Sequence, residues 1–197
     1  LVIGGIRKVS GSQAEKMIPS RRGFLSKIAL GIAAIPFASL LYGMYKGKYN
    51  YRVLKYELTF DDLPEAFDGY QITQISDIHS GSFDNHKEIE YAVNLANEQQ
   101  SDVIFFTGDL VNNLASEMKD WKSLFSTLKA KDGVFSILGN HDYGDYVDWS
   151  SAKAKAENLQ RLKNLQQEMG WELLLNEHRI LKRGEDQLAI VGVENWG

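Results

Sequence analysis

The 197-residue sequence has no cysteine, so no disulfide can staple it, no thiolate can hold zinc, and cysteine usage says nothing of its redox compartment. It also lacks internal repeats and low-complexity segments, and its 44% apolar and 24% charged content excludes a wholly disordered, collagen-like or coiled-coil chain. Acid is nearly missing from one end. Residues 1–50 hold eight Lys/Arg against Glu15 alone (8 − 1 = +7), whereas residues 51–197 hold 14 cations against 25 acids (14 − 25 = −11). A region that acidic repels a phosphate backbone, so nucleic acid is not an expected partner, and phosphate chemistry would need local cations such as bound metal.

What is present at the basic end is a long apolar run. Residues 28–45, IALGIAAIPFASLLYGMY, carry no charge over 18 positions; as a helix they would reach roughly 27 Å against a hydrocarbon core of about 30 Å, and counting back to Phe24 with Lys27 snorkelling closes the gap. Residues 28–45 are therefore expected to be a transmembrane or signal-anchor helix that tethers the chain to a membrane. Arg21 and Arg22 ahead of it place residues 1–27, a basic flank, in the cytoplasm and the rest of the chain on the other side, as in a bacterial cell envelope. Residues 20–27, SRRGFLSK, resemble the twin-arginine export signal; alternatively, LVIGGI at residues 1–6 is the tail of an earlier span and residues 7–27 are a cytoplasmic loop. No small-x-small cleavage site follows the apolar run, which favours a retained anchor. A first residue that is Leu, and a last one directly after a strand-like run, lead to the expectation of a fragment cut at both ends.

Residues 51–197 read as one α/β domain. YRVLKYELTF (51–60) has the β-branched and aromatic residues of an entry strand, followed by the turn DDLPEAFDG. Three short apolar runs, 70–76, 102–107 and 134–138, have the length of buried parallel strands. Between them, Ile89, Ala92, Val93 and Ala96 share one helical face, and Met118, Trp121, Leu124, Phe125 and Leu128 share another. The pattern is βαβαβ with right-handed crossovers. A third helix over 152–169 ends at Gly170. WELLL, HRILKR and LAIVGV then predict three more strands and one hairpin, with His178 in a turn and His86 on a helix surface.

Each of the three strand runs leads into a polar cluster: Asp77-Ile78-His79, Gly108-Asp109 and Gly139-Asn140-His141-Asp142, with steps of 32 and 31 residues from Asp77 to Asp109 to Asn140. In open α/β sheets ligands bind beyond the carboxyl ends of the strands, so the clusters should converge at one edge. Gly108 and Gly139 let the backbone turn sharply there. Carboxylate, imidazole and amide oxygen together suit Mn, Fe or Zn ions. Singly, each of these residues would more often be a cap, a turn former or a solvated loop residue; it is their joint placement that points to a metal site. Tyr143, Asp145 and Tyr146 beyond the last cluster either line a pocket or cap a loop.

These blocks resemble the signature of the calcineurin-like metallophosphoesterases, D-x-H, G-D and G-N-H-[D/E], in order and with similar spacing across residues 51–197; the family's later G-H and G-H-x-H blocks have no counterpart, since His86 and His178 lack the Gly neighbour. The basic anchor resembles the membrane-bound or twin-arginine-exported branch. The resemblance implies a metallophosphoesterase sandwich, incomplete at its C-terminus, with two divalent or trivalent metal ions: Asp77 and His79 on one, Asp109 bridging both, Asn140 on the other, His141 as a catalytic acid at the leaving group and Asp142 orienting it. In general, a carboxylate shared by two cations holds them roughly 3.5–4 Å apart and turns a water between them into a hydroxide that attacks phosphorus in line. The substrate is then a phosphoester, with a phosphodiester or pyrophosphate of a lipid or envelope component preferred. The rival expectation is a non-catalytic, membrane-tethered binding or scaffold domain that keeps part of the site.

Overall fold

The computed structural model describes residues 21–196; the expectations for residues 1–20, including the LVIGGI segment, lie outside the described residues. The chain divides between Asn50 and Tyr51 into two compact units. In the first, α1 (Arg21–Tyr45) runs for 25 residues with no buried side chain, about 37 Å at 1.5 Å per residue. By length and composition it can cross a membrane. It starts earlier than the charge-free run, taking in Arg21 and Arg22. Pro36 lies inside it, and the Ser39 hydroxyl donates to the Ile35 carbonyl at 2.9 Å, so this polar side chain is satisfied within the helix itself.

The second unit is built on four parallel strands in the order β1-β2-β3-β4: β1 (Ile72–Ile75), β2 (Val103–Phe106), β3 (Val134–Ser136) and β4 (Trp171–Leu173). Ile75 pairs with Phe106, and Phe106 with Ser136, so the carboxyl ends of the first three strands lie side by side. Sequential neighbours pair in parallel because α2 (His86–Glu98), the segment holding α3 (Lys122–Phe125), and α4 (Ala152–Glu168) return the chain each time. α2 buries Ile89 and Val93, two of the four residues of its apolar stripe. Ser151 caps α4 by accepting from Ala154 N–H at 3.1 Å, and Gly170, at φ +81°, ends it.

Two strands, β5 (Glu177–Arg183) and β6 (Asp186–Gly192), form a separate antiparallel hairpin. Leu181 and Ile190 from it pack on Val103, Phe135 and Leu174, with Phe105 and Ile137 alongside. Val103 and Phe105, like Phe135 and Ile137, are two apart and so point to the same sheet face. At the amino end of β2, Asp102 is 6% exposed and accepts from Gln71 N–H (2.8 Å), Arg183 (2.7 Å) and Lys131 (3.0 Å). Arg183 thereby ties the hairpin to the base of the sheet. Burial by itself would raise the Asp102 carboxyl, but Gln71 N–H, Arg183 and Lys131 outweigh it and hold the group at about 2.

Three sequence expectations need correction. Residues 51–60 form no strand: Leu54, Tyr56, Leu58 and Phe60 are exposed, because among the described residues no strand pairs with the segment. The continuous helix expected across 118–128 is a 3₁₀ turn (Ala115–Met118) and the single-turn α3. Its five apolar residues are all buried, yet Ser126 and Thr127 hydroxyls donate to the carbonyls of Lys122 and Leu124, competing with the helical ladder. His178 lies within β5 opposite Val191 rather than in a turn.

Candidate metal centre

Beyond the carboxyl ends the pairing of β1 with β2 continues: Asp77 N–H donates to Gly108 O, His79 N–H to Asp109 O and Ser80 N–H to Leu110 O, each at 3.0 Å. This ladder lays the first two polar clusters against each other. Asp77 (φ 55°), His79 (φ 48°) and Asp109 (φ 61°) all take the left-handed conformation, which Asp and His tolerate better than most residues but which still stores strain at the site.

The third cluster is locked on by close backbone approach. Gly108 sits at φ +103°, and a Cβ there would lie 2.4 Å from Gly139 N; a Cβ on Gly139 would lie 2.2 Å from Asp109 Oδ1 and 2.6 Å from Asp109 N. Gly108 thus makes the turn that was expected, while Gly139 is needed for clearance. Asp109, 8% exposed, accepts His141 N–H on Oδ1 at 2.8 Å. Its Oδ2 lies 3.8 Å from His79 Nε2, too far for a hydrogen bond, and Asp77 Oδ1 lies 4.0 Å from the same nitrogen. One ligand atom each from His79, Asp109 and His141 lie within 4.8 Å of one another.

The His141 ring is edge-on to His79, centroids 4.7 Å apart. Its Nδ1 is 2.8 Å from the Asn112 carbonyl, which can only accept. Nδ1 therefore carries a proton, leaving Nε2 as the nitrogen open to a ligand or a proton. Asn140 is exposed and donates through Nδ2 to the Tyr146 hydroxyl at 2.7 Å.

Asp142 differs from the expectation. It does not orient His141; fully buried, it turns inward and accepts backbone N–H groups of Gly139 (2.9 Å), Asp109 (2.9 Å), Leu110 (2.8 Å) and Val111 (3.3 Å). It clamps the Gly-Asp loop to the Gly-Asn-His loop and so fixes where Asp109 stands. Burial pushes its carboxyl up to about 6, against the pull of those four donors.

These donors fit a metal. A buried carboxylate and two imidazoles, close but not hydrogen-bonded to each other, form a hard-to-borderline set into which an ion with bonds of about 2 Å can be drawn. Across residues 70–190 the sequence matches the family model described as "Calcineurin-like phosphoesterase". The chain belongs to the calcineurin-like phosphoesterase family. Residues 1–48 match a second model, "Probable Calcineurin-like phosphoesterase, transmembrane domain".

The chain is 26% identical over 187 residues to a "Transmembrane protein with metallophosphoesterase domain" of Danio rerio, covering 92% of this chain and 39% of that protein. It is 29% identical to the "Uncharacterized metallophosphoesterase YkuE" of Bacillus subtilis, covering 64% and 46%. It is likewise 29% identical to the "UDP-2,3-diacylglucosamine pyrophosphatase LpxG" of Chlamydia muridarum, covering 60% and 37%. The chain thus spans only about two fifths to half of these relatives.

Sequence reasoning missed Asn112 and Glu117. Glu117 accepts N–H groups of Asn112 (2.6 Å), Asn113 (3.1 Å) and Leu114 (2.9 Å), shaping the turn whose Asn112 carbonyl holds His141. The available signal was the polar pair Asn112-Asn113 three residues after Gly108-Asp109.

Proposed function

We propose that the complete protein hydrolyses a phosphoester by metal-assisted attack of water, with a phosphodiester or pyrophosphate bond preferred over a monoester. The observation that carries the reading is the approach of Asp109 Oδ2 and Asp77 Oδ1 to His79 Nε2 (3.8 and 4.0 Å) at the carboxyl edge of the sheet, with the His141 ring edge-on beside them. Asp77, His79 and Asp109 would hold one cation, Asp109 and Asn140 a second. Cations held there would supply Lewis-acid charge for the phosphoryl oxygens and lower the pKa of water.

The chain's own residues do the rest. Asp109 is pinned by His141 N–H, with its loop fixed by Asp142. His141, anchored through Nδ1–H to Asn112, presents Nε2 to give a proton to the leaving oxygen, a role typically worth about 10² to 10⁴ in rate. A lipid-linked pyrophosphate is the preferred substrate class, supported by the name of the Chlamydia relative.

α1 is proposed as a retained anchor, with the basic stretch ahead of the charge-free run on the cytoplasmic side and the domain from residue 51 on the far side of the membrane, as in a bacterial envelope. The match of residues 1–48 to a transmembrane-domain model supports an internal span over a cleavable twin-arginine signal. The test is metal analysis of the full-length protein together with a panel of phosphodiester, pyrophosphate and monoester substrates at excess Mn²⁺. Bound metal with turnover of diester or pyrophosphate is expected. Bound metal without turnover of any ester would instead select the scaffold role.

A further inference from the structure

The loop after the Gly-Asn-His-Asp block is built, and its most exposed aromatic touches the candidate centre twice. Tyr146, 59% exposed, accepts from Asn140 Nδ2 at 2.7 Å and lays its ring against His141, centroids 4.5 Å apart and planes 30° apart. Three contacts hold it in place. Its own N–H donates to Asn113 Oδ1 at 3.2 Å, the Trp149 indole N–H donates to the Gly144 carbonyl at 2.6 Å, and Asp145 pairs with Lys155 of α4. Gly144, at φ +68°, leaves no room for a side chain: a Cβ would lie 2.9 Å from the Trp149 ring.

An asparagine amide has two different ends, and only Oδ1 can bind a cation. A free, exposed amide rotates and flips, so a cation must pay the ordering cost on binding. A phenol oxygen that accepts from Nδ2 removes that freedom and leaves Oδ1 unspent. We infer that Tyr146 is a positioning residue: its hydroxyl sets the Asn140 amide with Oδ1 free for the second cation, while its ring braces His141. The inference rests on the proposed two-cation centre.

The experiment compares full-length wild type, Tyr146→Phe and Tyr143→Phe in detergent, measuring Mn²⁺ stoichiometry and affinity directly and then turnover across Mn²⁺ concentrations. Tyr143 is the control, since its hydroxyl faces Glu194 at 3.5 Å instead. Tyr146→Phe keeps the ring, so its thermal midpoint should match wild type, yet its weaker Mn²⁺ should bind about 10- to 100-fold less tightly, the scale typical of groups that orient ligands. Its turnover should return to the wild-type value at excess Mn²⁺, a rescue that a merely structural defect would not show. Tyr143→Phe should match wild type throughout. Wild type holding two Mn²⁺ with Tyr146→Phe binding equally well would overturn this role and leave the centre standing. Tighter binding by Tyr146→Phe would also overturn it, by showing that the phenol occupies Oδ1. Wild type failing to hold a second Mn²⁺ would remove the centre and this role together.

Discussion

β2 is flanked by two buried aspartates that have opposite surroundings. Asp102, at its amino end, is 6% exposed and meets Arg183, Lys131 and a backbone N–H. Asp109, beyond its carboxyl end, is 8% exposed, but among the described residues it has no Lys or Arg partner, only one backbone N–H and the imidazole of His79 at 3.8 Å. Burial is the same, so burial cannot be what separates a structural acid from a functional one. A buried carboxylate is expensive unless compensated. At the amino end the chain supplies the cations itself; at the carboxyl end it leaves that charge to be supplied from outside.

Neutralising the two acids in turn should separate their roles most visibly. Asp109→Asn in the full-length protein should abolish metal retention and reduce turnover to background, while the stability of the metal-free protein stays the same or rises, because an uncompensated charge has been removed. Metal analysis beside chemical denaturation reads both; a large loss of metal-free stability would make Asp109 a structural acid like Asp102. Gly139→Ala should come next. Its Cβ would meet Asp109 Oδ1 and the Asp109 main chain, so one methyl group should cost metal affinity and about 1–3 kcal/mol of stability, as overpacking usually does.

Asp102→Asn should do the reverse of Asp109→Asn: metal content and KM unchanged, stability lowered by about 2 kcal/mol, a buried-pair loss discounted because Arg183 and Lys131 reach solvent. The same group sets a pH dependence. With its folded-state pKa held at about 2, below the ordinary carboxylate value, Asp102 contributes stability that is fully present above about pH 4 and lost as pH falls toward 2. Denaturation midpoints measured between pH 5 and 3 should therefore fall in wild type more than in Asp102→Asn. Lys131→Ala should have the smallest effect, under about 0.5 kcal/mol, because its side chain is 72% exposed and Arg183 still faces Asp102.

Part of this arrangement is legible in the sequence. The charge-free run behind Arg21-Arg22, the βαβαβ order and the three polar clusters depend on residues a few positions apart, and the helix stripe Ile89/Val93 or the stop at Gly170 follows from periodicity and backbone preference alone. Helix content over 118–128 was overstated for the same reason: the apolar spacing is helical, but Ser126 and Thr127 divert the carbonyls it needed.

Chain order and periodicity therefore settle which residues stand at the strand ends and that an apolar helix precedes the domain. The partners those residues find come from packing. Packing turned Asp142 inward onto four backbone N–H groups, gave His141 the Asn112 carbonyl, set Tyr146 on Asn140, left residues 52–60 exposed, and brought Lys131 and Arg183, 29 and 81 residues away, to Asp102. The reason is physical: periodicity and dihedral preference are properties of neighbours along the chain, whereas the burial of a carboxylate and the donor that compensates it depend on segments that meet only when the sheet and hairpin have packed.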